Sequence, residues 1–415
     1  MNRPSAHTVI TTALLRYHLT LGAAAALITG CGGPQLPLSA SPQGFAPQQA
    51  VHDDAYNILH EFGVSKGDGN DPSAELINVK GTLYGTTSQG GAYGFGTVFS
   101  ITKSGKETVL HSFGGPPDGE GPLARLLYVN GMLYGTTAYG GENRTGTVFS
   151  MTRSGKEKIL HNFDYGYSYA RNSGTVPVAG LIDVNGTLYG TTIHGGTHPC
   201  SGSFYFCGTV FSITTGGTYK VLYNFGARGN DGYYPEAALL DVNGTLYGTT
   251  NGGGKYDRGI VFSISTTGQK RTLYSFGTNS FFDGSNPLSD LIDVNGTLYG
   301  TTSDSGGGGG TVFSVTTDGV ENIIYAFDGP HGSDPAAGLI DVKGVLYGTT
   351  AKGGAKNVGT VFSVTTSGEE TVLHSFRAGG GKNPQAALLE VGGTLYGTTF
   401  GATFNHHGNV FSLTP

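Results

Sequence analysis

The sequence predicts an all-β fold, a seven-bladed β-propeller of four-stranded antiparallel blades, and three observations lead there. The pentapeptide "LYGTT" at Leu83–Thr87 returns at 133, 188, 246, 298, 346 and 395. Each copy sits in a unit of roughly 50 residues that parses into four short strands, the signature of a propeller blade. The copies also run out of phase with the chain. "VFS" occurs seven times, last at Val410–Ser412, and the sequence stops at Pro415 with no fourth strand after it. The missing strand is expected at the other end, where "YNILHEF" at Tyr56–Phe62 matches "TVLHSF" at Thr108–Phe113. An N-terminal strand that completes the last blade closes the ring and removes two free sheet edges. A β-solenoid, the structural competitor, has shorter coils without tight hairpins and no use for that permutation.

Composition supports strands over helices. The 415 residues include 73 glycines, 23 tyrosines and 22 phenylalanines, no tryptophan, and only 13% charged residues. Such a chain is too aromatic for disorder, and its Gly, Thr and Asn content is wrong for long helices. The formal net charge is -6 with no basic block, so no nucleic-acid partner is expected.

The N-terminal residues differ from the rest. Arg3 and Arg16 precede an apolar run, Leu19–Ile28, too short to span a bilayer but suited to a signal peptide. It ends in "ITGC" at Ile28–Cys31, which resembles a bacterial lipobox with Ile28 where leucine is more usual. That resemblance implies cleavage before Cys31, its lipidation, and several acyl chains, which is what stable anchoring requires. By the same resemblance, Gly32 in place of an aspartate implies an outer-membrane or cell-surface position. The alternative is an ordinary secretory signal with a chance cysteine. The expected domains are therefore a lipoprotein-type signal peptide over 1–30, the lipidated Cys31 with a Pro/Gln/Ser-rich tether over 31–52, and a propeller over 53–415. About twenty flexible residues give a mean reach on the order of 25 Å, enough to hold a domain clear of the headgroups.

Within a unit, the third copy serves as the pattern, with strands at 179–184, 187–192, 209–214 and 219–225. Asn185-Gly186 joins the first pair in a two-residue turn of type I′, whose central positions both need positive φ. Asn130-Gly131, Asn243-Gly244 and Asn295-Gly296 repeat it, and Lys80-Gly81, Lys343-Gly344 and Gly392-Gly393 are variants. The motif set "LYGTT…GG…GTVFSIT…TVLHSF…P.AGLI" over 56–415 resembles the GloVer-type choice-of-anchor tandem-repeat proteins of bacteria. The resemblance implies an exported repeat protein held at the cell by an anchor, and carries no catalytic residues over.

What all copies share reads as scaffold. The tyrosines Tyr84, Tyr134, Tyr189, Tyr247, Tyr299, Tyr347 and Tyr396 are expected between blades, and Gly85 is read as a socket for a large side chain of the next blade. The fourth-strand residues His60, His111, His161, Tyr223, Tyr274, Tyr325 and His374 are strung around the rim, so no metal site is assigned to them. The inner-strand acids Asp183, Asp241, Asp293, Asp341 and Glu390 could form an anionic ring, but suit better as acceptors of turn N–H groups. The crossing acids Asp68, Asp71, Asp118, Asp231, Asp283 and Asp334 could bind Ca²⁺, yet lack the D-x-D-x-D spacing. Loop capping is the reading adopted, and no cofactor is expected.

Function is expected where the copies disagree, on the face carrying the loops between second and third strands and the crossings between blades. There the third unit expands to "IHGGTHPCSGSFYFCG", whose Cys200 and Cys207 are expected to form a disulfide in an exported protein. Aromatics gather on the same face: Tyr165, Tyr167, Tyr169, Phe204, Tyr205, Phe206, Tyr233, Tyr234, Phe281 and Phe282. They form either a platform for a glycan or protein ligand, or a satellite core beneath their own insertions. Neither GxSxG, HExxH nor a phosphate loop occurs. The expectation is a lipid-anchored binding protein. A hydrolase or lyase at the channel mouth and a structural envelope protein are the alternatives.

Overall fold

The structure is a computed structural model, and its described residues are 56–164, 173–200, 205–227, 229–277, 283–305, 307–377, 379–401 and 407–415. The chain divides into one unit of Met1–Gln49 and one of Ala50–Pro415. The leader, Cys31 and the tether lie outside the described residues. No helix occurs among the described residues.

Seven four-stranded antiparallel sheets make the propeller. The first blade is built from Ile77–Val79, Thr82–Thr87, Thr97–Thr102 and Glu107–Ser112, in that order across the sheet. The next five repeat this order. The seventh consists of Leu389–Val391, Thr394–Thr399, Asn409–Leu413 and, outermost, Tyr56–Glu61. Tyr56 pairs with Leu413 and Glu61 with Asn409, so the N-terminal strand closes the ring. Closure copies the other blades bond for bond: Phe62 N–H donates to the Gly408 carbonyl at 3.0 Å, as Phe113 N–H does to Gly96 and Phe163 N–H to Gly146.

The first turns have the geometry their sequences demand. Asn185 and Gly186 lie at φ 54° and 84°, and even Lys80 and Lys343 are held at 54° and 56°. Type I′ twist matches the twist of the flanking strands, which outweighs the cost of a positive φ at lysine. Every third-to-fourth strand pair carries a register shift beside its valine, as between Val98 and Phe99. Such bulges tighten the twist toward the rim.

The repeated pentapeptide is consumed by packing. Leu83 is fully buried against the preceding blade, clustered with Phe62, Phe99, Ile101 and Val410. Tyr84 faces the following blade, with Leu126, Leu133 and Phe149. Gly85 stands opposite Phe99 of its own third strand. A Cβ there would lie 2.6 Å from Phe99 Cζ and 2.8 Å from Leu76 Cδ2. The socket thus receives a ring of the same blade and not, as the sequence suggests, one of the next. The reason is register: Gly and Phe are directly cross-strand on one face, where side chains are closest. Thr86 Oγ1 donates to the Ala124 carbonyl of the following blade at 3.2 Å, and Thr398 repeats the bond to Ala74 across the closure. Thr87 Oγ1 donates to the Gln89 carbonyl and lies 2.8 Å from Thr97 Oγ1.

Between blades, phenylalanines meet edge to face. Phe62–Phe99 at 5.1 Å, Phe113–Phe149 at 5.4 Å and Phe163–Phe211 at 5.5 Å begin a series that ends with Phe376–Phe411 at 5.4 Å. Each such ring buries about 1.5–3 kcal/mol of apolar stabilisation, with about 0.5–1.5 kcal/mol more from the aromatic geometry.

Candidate functional site

Among the described residues, short two-stranded ribbons tie the first five crossings to the loop between the second and third strands, as in Gly69–Asn70 with Gln89–Gly90 and Gly174–Thr175 with His194–Gly195, and a single bridge from Ser333 to Lys352 does so at the sixth. Crossings and variable loops therefore share one face. On it, the residue before each crossing proline bridges two blades. Tyr234 N–H donates to the Cys207 carbonyl and the Tyr234 carbonyl accepts from Asn251 N–H. This geometry needs positive φ. Gly121, Asn286, Asp334 and Asn383 supply it at low cost, but Val176 and Tyr234 are held at 58° and 57°. Bulky residues in the left-handed region cost about 1–3 kcal/mol, and strain of this kind concentrates at functional sites. Both flank the third blade.

That blade carries the expanded loop. Cys200 and Cys207 are joined in a disulfide with Cα atoms 5.0 Å apart. Cys200 N–H donates to Tyr205 and Cys207 N–H to His198, so the loop returns on itself as a narrow hairpin. The staple presents Tyr205, 48% exposed, stacked on His194 at 4.7 Å. His194 in turn meets Tyr234 edge-on at 5.1 Å, and Tyr234 meets Tyr233 at 4.8 Å. Tyr233 Oη donates to Asp257 Oδ1 at 2.6 Å. Burial pushes the His194 imidazole down to about 4, keeping it neutral. Of the aromatics picked out in the sequence, the structure thus joins Tyr205, Tyr233 and Tyr234 in one tier through His194, and Phe206 is partly buried. Tyr165, Tyr167, Tyr169, Phe204, Phe281 and Phe282 lie outside the described residues.

The structure adds a set that the reading of motifs missed. The residue between the conserved-looking alanine or serine and leucine before each first strand faces the axis, and the copies hold Glu75, Arg125, Gly180, Ala238, Asp290, Gly338 and Ala387 there. Arg125 of the second blade reaches across to Asp290 of the fifth, Nε to Oδ2 3.7 Å, and lies 3.8 Å from Glu75 Oε2. Gly180 makes room: a Cβ there would lie 2.6 Å from Arg125 Cγ. Ala238 N–H anchors Asp290 Oδ1 at 2.6 Å. Burial, aided by Asp290 and opposed by Arg125, pushes the Glu75 carboxyl up to about 7. Stacking the seven copies would have exposed this position, because only here does a small-residue site become charged three times.

The remaining sets act as scaffold. Asn78, Asp241, Asp341 and Glu390 accept the N–H of their turn glycines, at 2.9 Å for the first three. Among the crossing acids, Asp118 accepts from Gly114 and Gly119 N–H, and Asp231 from Gly226 and Gly232 N–H. The rim histidines and tyrosines meet these acids: His111 Nε2 lies 3.3 Å from Asp118 Oδ2, and Tyr223 Oη donates to Asp231 at 2.8 Å.

The model of the Gloeobacter/Verrucomicrobia repeat matches residues 48–204 and again 199–411. The chain belongs to this repeat family. No curated protein matches it. Among solved structures, puromycin hydrolase is similar at TM-score 0.55 and 11% identity over 88% of this chain, which spans 55% of that protein's length. Candidate 6-phosphogluconolactonases from Bacteroides uniformis and Bacteroides fragilis give TM-scores of 0.48 and 0.47 at 15% and 18% identity. Each covers 76% of this chain, which spans 88% and 86% of theirs. At these identities the first shows the propeller fold alone, and the other two are too distant to carry an argument.

Proposed function

We propose that this repeat protein is exported, anchored through a lipidated Cys31, and binds a glycan on its loop face. The observation that carries the reading is the tier of Tyr205, His194, Tyr234 and Tyr233, in which Tyr205 sits on the disulfide-stapled loop and Tyr234 on strained backbone of the next crossing. Flat aromatic faces with polar tips suit sugar rings, which offer C–H groups to stack and hydroxyls to bond. A rigid staple lowers the ordering cost of binding. The shared residues of the repeat described above serve packing and turns, which supports recognition by this face.

The test is a glycan array probed with the soluble Cys31→Ser protein, followed by Tyr205→Ala. Tyr205 is exposed, so its loss spares the fold and is expected to weaken binding by about fivefold to a hundredfold, taking about 1–3 kcal/mol per stacked ring as for bases on aromatic side chains. Unchanged binding in Tyr205→Ala refutes the platform, and an empty array redirects the search to protein partners. Cys31→Ser is also expected to release the protein from membranes; continued membrane association refutes the anchor.

One observation favours a second reading, a hydrolase or lyase acting at the channel mouth. A carboxyl tuned to about 7, as at Glu75, suits general acid–base work at neutral pH, with Arg125 beside it to hold an anionic group. Release of reducing ends from an array-positive glycan, abolished by Glu75→Gln, would establish it. Intact glycan after prolonged incubation leaves binding as the function.

A further inference from the structure

We propose that the ring closure carries a zinc-type divalent cation site formed by His60, Asp68 and Glu107. The three come from three places: His60 from the closing N-terminal strand, Asp68 from the crossing into the first blade, and Glu107 from that blade's outer strand. One ligand atom from each lies within 4.8 Å of the others. His60 Nε2 and Asp68 Oδ1 are 3.4 Å apart, close to the roughly 3.4 Å edge spanned by two ligands about 2.1 Å from a tetrahedral zinc ion. One imidazole and two carboxylates form a three-ligand set that leaves a fourth position for water.

The repeat itself provides the comparison. At the next interface, Asp118 Oδ2 accepts from Gly114 N–H at 2.9 Å and Oδ1 from Gly119 N–H at 2.7 Å, and its side chain is 26% exposed. Glu157 Oε1 is unpartnered there, but both oxygens of its aspartate are engaged. At the closure, the crossing is the different sequence Gly63–Gly67, and Asp68 accepts Gly69 N–H on Oδ1 at 2.8 Å. Its side chain is 2% exposed, and its Oδ2 is buried without a donor. Glu107 Oε1 is also buried without a donor. Two carboxylates so placed are costly unless a cation joins them.

A third interface shows a cation doing so. Lys270, at the fourth-strand position equivalent to Glu107, puts its ammonium on Asp231 Oδ1, with both side chains at most 4% exposed. At the closure, where Glu107 stands in place of that lysine and Asp68 keeps an oxygen without a donor, a metal ion supplies the charge and uses the glutamate as a ligand. Its effect is to clasp the closing strand to the first blade, since an ion bound only by the folded ring stabilises it by mass action.

The experiment uses the purified full chain freed of metal with a chelator, titrated with Zn²⁺ by calorimetry and followed by thermal melting. One ion is expected at this site, with a rise in Tm of roughly 3–6 °C at a hundredfold excess over Kd. Glu107→Gln is expected to abolish both while raising the Tm of the metal-free protein above pH 7, because it removes a buried charge; a packing role alone would not move the two in opposite directions. His60→Gln is expected to abolish the zinc response, and His111→Gln at the neighbouring interface to leave it intact. The proposal is overturned by an undiminished response in Glu107→Gln, by loss of the response in His111→Gln, or by a shift with Ca²⁺ and none with Zn²⁺, which would deny a nitrogen ligand.

Discussion

If the N-terminal strand is integral to the ring, Phe62→Ala should cost as much as the same change inside an unbroken interface. Phe62 is 2% exposed and packs against Leu76, Leu83, Phe99, Ile101, Tyr396 and Val410, which belong to the first and seventh blades. Its ring meets Phe99 edge-on at 5.1 Å. Removing a buried phenylalanine costs about 3–5 kcal/mol, transfer and cavity together. That range already contains the roughly 0.5–1.5 kcal/mol of the aromatic pair. Phe113, fully buried and 5.4 Å from Phe149, is the internal control, because no chain end lies at that interface. Denaturant unfolding of both variants is expected to give losses of about 3–5 kcal/mol that agree within about 1 kcal/mol, with unchanged m. A near-neutral Phe62→Ala beside a costly Phe113→Ala would refute the closure, since it would mean that the strand lies on the seventh blade without bearing on the first. A lowered m in Phe62→Ala alone would point the same way, to a ring already open before unfolding.

Gly85→Ala is expected to destabilise by about 1–3 kcal/mol, because its Cβ would sit 2.6 Å from a fully buried Phe99 ring that has nowhere to retreat. Glycan affinity in the folded fraction should not change; a stability loss under about 0.5 kcal/mol would show the socket to be loose. Stability should also fall as pH rises from about 5 to 7.5. Burial, with the acids facing them, pushes Glu107, Glu157, Glu321 and Glu370 from 4.5 up to about 7. A raised folded-state value lends stability that is complete below 4.5 and lost as pH passes through 7. His161 and His194, pushed down to about 4, act in the opposite sense between 4 and about 7, but they are two groups against four. Melting across that window checks this, and Glu321→Gln should flatten the slope; a flat profile in the parent protein would contradict the burial argument.

The seven copies of "LYGTT", the type I′ turns and the out-of-phase ends are enough to predict blade number, strand count, hairpin geometry and closure. All rest on neighbours in sequence, where periodicity and turn chemistry act directly. The ring tyrosines could be placed between blades on the same grounds, since both faces of a blade are covered. Other features depend on contacts between distant segments, and periodicity says nothing of those. Only cross-strand register shows that Gly85 receives Phe99 of its own blade. The meeting of Arg125 with Asp290, 165 positions apart in sequence, exists because seven blades converge on one axis, with Gly180 leaving the space between them. Likewise His60 and Asp68 read in sequence as a rim histidine and a loop cap, and Glu107 draws no attention at all. They become one charged cluster only when the last blade is closed onto the first, which places their carboxylates away from the water that would otherwise have solvated them.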